Sequence, residues 1–320
     1  MNSFRFAVMG AGRIANKFCD AVRLVPDCEV CAVASKSLER AEDFAAHHNL
    51  PAAYDSYEKM LKAERPDCVY IAVTHDAHFA LCMLCLDYAT PVLCEKSMFQ
   101  NSAEAEAFFT RAEEKAVFAM EAMWSRFLPP VMKAREWVKE GRIGEPVFGD
   151  MTIGFISSPD PGNRINNPRL GGGAALDITV YSYDVLTWLM DRPVLRASVE
   201  ATKMETGVDA TDVVLLRFKG GAIGVCKSSV AVSPDERLVI EGKSGRIVLP
   251  RSNVGNEAFL YEHGQLTEHF IDNKTKNGFT YEIEETVRCI REGRTESDVC
   301  PHAMTREFAR LCDKIFEEME

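Results

Sequence analysis

The sequence predicts an α/β protein in two parts. A doubly wound parallel sheet is expected over residues 1–122, then an α/β domain with an open, mostly antiparallel sheet over 123–320. Three observations carry this. Short apolar runs alternate with helix-length amphipathic runs through the first third, the pattern of parallel βαβ units with right-handed crossovers. The run Val69-Tyr70-Ile71-Ala72-Val73 is apolar throughout, as suits a strand covered on both faces. Beyond residue 123, strand-like runs follow one another across hairpin-length turns such as Lys219-Gly220-Gly221, which implies antiparallel pairing.

The first part reads as strand 4–10, helix 14–24, strand 30–35, and helix 38–47 with Glu39, Arg40, Glu42 and Asp43 on one side. A short helix 57–63, strand 68–74, helix 79–88, strand 91–95, helix 103–115 and strand 117–122 follow. In the second part a helix over 129–139 ends at Gly141. Strands are expected over 147–156, 197–204, 212–218, 222–229, 237–241, 245–249 and 258–262. A glycine-rich turn and helix span 171–190, and 303–319 is helical. The boundary is a change of architecture near Met123, without a low-complexity linker.

The 320 residues, 47% hydrophobic and 27% charged, suffice for a large core without disulfides. With 37 Lys+Arg against 48 Asp+Glu, the formal charge of −11 would repel a duplex or an anionic membrane, so nucleic acid is excluded as a partner. No apolar run reaches the ~18 residues of a membrane span. Residues 4–8 lead straight into a glycine turn with no secretory leader, and the expected location is cytoplasmic. Most of the 11 cysteines sit in apolar runs, the pattern of reduced, buried thiols. Cys28 and Cys31 enter a strand pattern and Cys82 and Cys85 lie inside a helical one. Neither pair sits on the tight turn that brings two thiolates onto one ion, and no metal is expected.

The sharpest motif is Gly10-Ala11-Gly12-Arg13-Ile14-Ala15, a GxGxxA turn between the first strand and first helix. Gly10 allows the tight turn, Gly12 lets backbone approach a pyrophosphate, and Ala15 permits close helix–strand packing. The helix N-terminus offers free N–H groups to the anion. A dinucleotide site is therefore expected. NAD sites usually carry an acid at the end of the second strand for the ribose 2′-hydroxyl; this chain has Ser35-Lys36-Ser37, with Arg40 one turn on. Hydroxyls and two cations suit a 2′-phosphate, so NADP(H) is expected over NAD(H).

Two further constellations bear on chemistry. Lys96 follows Glu95 at the carboxyl end of an apolar strand, where ligands of open α/β sheets bind. Its ammonium could donate to an alcohol or carbonyl oxygen, or could simply pair with Glu95 at the surface; spacing leaves both open. After Gly171-Gly172-Gly173, Asp177 and Tyr181 stand four apart and would share a face of an α-helix. A carboxylate beside a phenol gives a proton relay; a cap and a core aromatic would give the same spacing.

Together, Gly10–Ala15, Cys94-Glu95-Lys96-Ser97, the run 121–127 (EAMWSRF), the run 171–181 (GGGAALDITVY) and 278–285 (GFTYEIEE) occur in family order. Over nearly its whole length the chain resembles the glucose–fructose oxidoreductase/inositol dehydrogenase (Gfo/Idh/MocA) family, and is similar to its dihydrodiol/D-xylose dehydrogenase branch. The resemblance implies a Rossmann domain and a second domain whose open sheet mediates homodimer or homotetramer contacts. It implies that Lys96 contacts substrate near the nicotinamide and that Tyr181 is the acid/base, with Asp177 beside it. Trp124 and Arg126 match active-site residues of the branch, and Phe279 and Phe155 would add an aromatic wall. Thr74, His75, His78 and Glu95 fall by position within reach of the cofactor. Two departures stand out. Ser97 replaces the motif proline, at whose position the family often has a cis peptide; since a non-proline cis bond costs ~3 kcal/mol, a trans Lys96–Ser97 peptide and a differently aimed Lys96 are expected. Thr74-His75-Asp76 replaces the usual Thr-Pro-Asn, with His75 and His78 equally readable as solvated loop histidines.

The expectation is an NADP-dependent oxidoreductase moving a hydride between nicotinamide and a secondary hydroxyl or ketone of a sugar, polyol or trans-diol, without a metal. Competing readings are a redox-neutral, NAD-dependent glycoside hydrolase of the same fold and a non-catalytic NADP-sensing regulator. The missing acid after the second strand argues against the first. Joint retention of Lys96, Asp177 and Tyr181 argues against the second.

Overall fold

The computed structural model describes residues 3–158, 160 and 162–319. The chain divides into two compact units, Met1–Trp124 with Lys276–Arg306, and Ser125–Thr275 with Glu307–Glu320. A single cut after residue 122 would have left Lys276–Arg306 with the second unit; its contacts lie with the first.

The first unit opens with β1 (Phe4–Met9), α1 (Arg13–Val22), β2 (Cys28–Ala34), α2 (Leu38–His48), β3 (Ala53–Tyr54) and α3 (Tyr57–Glu64). It continues with β4 (Cys68–Ile71), α4 (His75–Asp87), β5 (Val92–Glu95), α5 (Ser102–Lys115) and β6 (Ala119–Ala122). All neighbours pair in parallel in the order β3-β2-β1-β4-β5-β6, so the doubly wound sheet expected from the sequence is present. β4, β5 and β6 are buried at every position, which is why β4 reads as an unbroken apolar run and β5 and β6 as apolar runs that each carry one buried glutamate, Glu95 and Glu121. Ser37, Ser56 and Asn101 begin α2, α3 and α5 by accepting from the amides of Arg40, Lys59 and Glu104. Phe18 of α1 stacks on Tyr70 of β4 at 3.7 Å between ring centroids, fixing that helix to the sheet.

The second unit begins with α6 (Pro129–Lys139), β7 (Pro146–Gly154) and α7 (Val180–Met190). β8 (Val194–Lys203), β9 (Asp209–Phe218), β10 (Ile223–Ser229), β11 (Arg237–Gly242), β12 (Gly245–Pro250), β13 (Glu257–Glu262) and β14 (Gln265–Ile271) complete its sheet. Their order is β14-β13-β12-β11-β7-β10-β9-β8, antiparallel throughout except that β7 and β10 run parallel. α8 (Phe279–Arg291) returns to the first unit and packs on α1; α9 (His302–Glu318) ends the chain. β9 alternates along its length, with Val214, Leu216 and Phe218 inward and Val213 and Leu215 outward. α7 is buried nearly all round and lies over β7 and β10, its Leu186 against Gly149 and Gly224. Among the described residues, no helix is long and apolar enough to cross a membrane.

The two-residue β3, the edge strand β14 and α8 are additions to the elements read from the sequence. The expected helix 171–190 is α-helical only from Val180; before it come two short 3-10 turns, Arg164–Asn166 and Pro168–Leu170, and a π-helical turn, Ala175–Thr179. Because Leu186 joins α7 to its sheet, Leu186→Ala should cost about 2–5 kcal/mol, read as a shift in urea unfolding.

Candidate active site

Gly10 leaves β1 with φ +106°, and a Cβ there would lie 2.5 Å from the carbonyl oxygen of Ala72 beyond β4. Only glycine fits, so backbone lies bare at the strand's end. The Gly10 amide donates to Ala34 O of β2 at 2.8 Å. Gly12 begins α1 with no side-chain cap and no acid in the first turn, leaving the helix N–H groups open to an anion. Ala15 is fully buried, as close packing requires, and Arg13 and Ile14 sit in the first turn, Arg13 exposed and Ile14 half-buried. These residues fit a dinucleotide pyrophosphate.

β2 ends at Ala34, and no carboxylate follows. Ser35 is buried, Ser37 caps α2, and Lys36 and Arg40 are exposed. The Arg40 guanidinium reaches Ala11 O at 3.4 Å, linking the end of β2 to the glycine turn. Thr74 begins α4.

The backbone at Lys96 is gripped from two elements. His75 and His78, in the first turn of α4, place Nε2 3.2 Å from Lys96 O and Nδ1 3.0 Å from Ser97 O. Glu121 of β6 accepts from Met98 N at 2.9 Å, and its other oxygen accepts from Thr305. Two expectations are corrected here. The Lys96–Ser97 peptide is cis, with the carbonyls on either side held by the two histidines. Those histidines are not solvated: both are buried in α4, His78 completely, with its Nε2 3.2 Å from Val73 O. Glu95 does not lie at the surface: it is buried and accepts a short hydrogen bond from Tyr70. Lys96 itself is half-buried.

In the second unit Asp177 lies in the π-helical turn and Tyr181 in the first turn of α7, both buried. The π turn breaks the α spacing that had placed them on one helix face, because its bonds run from i to i+5. Asp177 pairs with Arg164 at 2.8 Å, a partner the sequence did not suggest. Phe155, just past β7, is exposed, and its amide is held by Ser229 O. Arg126, expected near the cofactor, forms a buried ion pair with Asp184 at 2.8 Å and lies over the Trp188 ring. In the first unit Trp124 and Phe279 meet edge to face at 5.3 Å.

Residues 4–123 match the family model described as oxidoreductase family, NAD-binding Rossmann fold, and 131–248 match the Gfo/Idh/MocA C-terminal domain. The trans-1,2-dihydrobenzene-1,2-diol dehydrogenase of Mus musculus is 33% identical, covering 98% of this chain and 96% of that protein. The enzyme of that name from Xenopus tropicalis is 30% identical over 98% of each. The chain belongs to the Gfo/Idh/MocA oxidoreductase family. A solved aldose-aldose oxidoreductase from Caulobacter crescentus, 20% identical, shares the fold with a TM-score of 0.91, covering 99% of this chain and 98% of that one.

For this Gfo/Idh/MocA oxidoreductase, Gly10→Ala should cost about 1–3 kcal/mol from the forced contact and abolish dinucleotide binding in a fluorescence titration. Arg126→Ala leaves Asp184 buried without its counter-charge and should cost about 3–5 kcal/mol in chemical denaturation, with dinucleotide affinity kept.

Proposed function

We propose that this oxidoreductase uses NADP(H) and acts on a secondary hydroxyl, or the corresponding ketone, of a sugar, polyol or trans-diol. The observation that carries the coenzyme choice is the end of β2. Ser35, Lys36 and Ser37 stand where an NAD site places a carboxylate, and Arg40 reaches back to the glycine turn. A 2′-phosphate there would meet hydroxyls and two guanidinium or ammonium cations instead of a repelling acid. The full-length likeness to relatives named as diol dehydrogenases supports the substrate class.

The turn Gly10–Ala15 and the N-terminus of α1 would hold the pyrophosphate, with Arg13 and Ile14 in its first turn. Ser35, Lys36 and Arg40 would hold the 2′-phosphate. Thr74, Glu95 and the carbonyl-gripping His75 and His78 shape the strand ends where the nicotinamide would lie. When bound, the nicotinamide supplies or accepts the hydride.

Lys96 donates a hydrogen bond from Nζ to the substrate oxygen, lowering that hydroxyl's pKa and steadying it. Tyr181 takes up or returns the hydroxyl proton at Oη. Asp177, neutralised by Arg164, orients the substrate or that phenol. Trp124, Phe279 and Phe155 offer aromatic faces to the carbon skeleton. Positioning and electrostatics therefore supply the rate enhancement, with the redox chemistry left to the coenzyme.

A screen pairing each nucleotide with aldoses, inositols, trans-diols and α-dicarbonyls, followed by absorbance of the reduced nicotinamide, tests the reading. NADPH turnover should exceed NADH turnover, and equal affinity for the two would overturn the coenzyme choice. Arg40→Ala should weaken NADPH binding about ten-fold and leave NADH binding unchanged. Lys96→Ala and Tyr181→Phe should each lower kcat by about 10²–10⁴-fold with NADPH affinity kept. Normal turnover in either variant would remove that residue from the mechanism.

A further inference from the structure

The π-helical turn that carries Asp177 is held at both ends by two carboxyls from one strand. Asp209 Oδ2 accepts a short hydrogen bond from the amide of Ala175, the first residue of the turn. Asp212 Oδ2 accepts from the hydroxyl of Thr179, the last, at 2.6 Å. Residues three apart on a regular strand face opposite sides, so this pairing needs a device. β9 supplies it. Its register with β8 steps from Lys203 opposite Asp209 to Thr202 opposite Thr211, and the extra residue, Ala210, turns Asp209 onto the side of Asp212.

The site is built tightly. Asp209 and Asp212 are 1% and 0% exposed. Gly173, with φ +104°, lies so close that a Cβ there would overlap Asp209 Oδ1. Among the described residues, the remaining oxygens, Asp209 Oδ1 and Asp212 Oδ1, have no hydrogen donor, yet the two carboxyls are within hydrogen-bonding reach of each other. Two ionised carboxylates in so dry a place would repel. A single proton between them gives both oxygens a partner.

We propose that Asp209 and Asp212 are positioning residues that share one proton in a carboxyl–carboxylate hydrogen bond. The bridged pair locks the turn Ala175–Thr179 and with it the setting of Asp177 and Tyr181. Its catalytic consequence rests on the roles given to those two residues above; the bridge itself does not.

The charged groups on the surrounding elements are otherwise occupied or turned outward. Asp177 on the π turn pairs with Arg164, Asp184 on α7 with Arg126, and Lys227 on β10 with Asp150. Tyr181 lies in the first turn of α7, and Lys203 on β8 is exposed. Burial, then repulsion from Asp209, pushes Asp212 up to about 8, and burial raises Asp209 as well. An acid raised from 3.8 in the open chain to about 8 in the fold binds its proton more tightly when folded. Its stabilisation is complete below the lower value and is lost as pH rises through the upper one.

The test compares wild type with Asp212→Asn, whose amide can donate to Asp209 and whose carbonyl can accept from Thr179 at any pH. Melting curves of the whole protein are taken at intervals from the open-chain value of 3.8 to beyond pH 8. Wild type should lose Tm relative to Asp212→Asn as pH rises to about 8, the gap opening across that range. Parallel curves would overturn the shared proton without any substrate being needed. With a substrate from the screen, Asp212→Ala should lower kcat about ten- to a hundred-fold while NADPH affinity holds, and Asp212→Asn should restore most of it. The alkaline fall in wild-type kcat should move in Asp212→Asn. An unaltered kcat in Asp212→Ala, or an unmoved alkaline limb in Asp212→Asn, would overturn the positioning role. A preparation that turns over nothing but shows diverging melting curves would count against the proposed function and leave the bridge standing.

Discussion

The contact between Gly10 and the Ala72 carbonyl is the constraint on which the first unit depends. The Gly10 amide is tied to the end of β2 while its Cα abuts the end of β4, so three parallel strands finish at one residue. That is also where the strand order reverses, β2 lying on one side of β1 and β4 on the other. Helices leaving such a point depart to opposite faces, and a crevice opens at the carboxyl ends of the strands. The bare glycine turn, the serines after β2 and Thr74 at the head of α4 all follow the carboxyl ends of these neighbouring strands.

A second theme recurs in both units: backbone bearing a side chain of the proposed active site is gripped by buried polar groups from distant segments. Lys96 is held by His75, His78 and Glu121, which hydrogen-bond the main chain of residues 96–98. Asp177 rides on a turn held by Asp209 and Asp212. Such groups cost desolvation and return geometry. Glu282 is the extreme case in the first unit: fully buried, raised well above the usual carboxyl range by burial and by Glu95, and with neither oxygen bonded among the described residues. Burial of that kind favours the neutral acid over the carboxylate.

The parallel sheet was legible because buried strands leave unbroken apolar runs and Gly10–Ala15 has few other uses between a strand and a helix. The hairpin turns similarly announced most of the second sheet. What escaped depended on contacts far apart in sequence. β3 has two residues and no periodicity of its own. β14, Gln265–Ile271, is mostly exposed and lacks an apolar face to announce it. His75 and His78 looked like loop residues because nothing local shows that they meet carbonyls some twenty positions away. Arg126 matched a family pattern, yet its charge answers Asp184, which has no signature in the sequence. The π turn was hidden as well: Asp177 and Tyr181 fit an α-helix by count, and only the carboxyls of β9 explain why the chain departs from one.

The cysteines carry a consequence of their own. Ten of the 11 are buried and the remaining one, Cys28, is half-buried; for most of them burial pushes the thiol well above its ordinary acidity range. The thiolate is the species that reacts with peroxides and electrophiles, and here it is scarcely formed while the chain is folded. A catalyst that trades reducing equivalents through a diffusible carrier is thereby insulated from the sulfur chemistry of its surroundings. Alkylation of its sulfhydryls becomes a clock for opening of the native state.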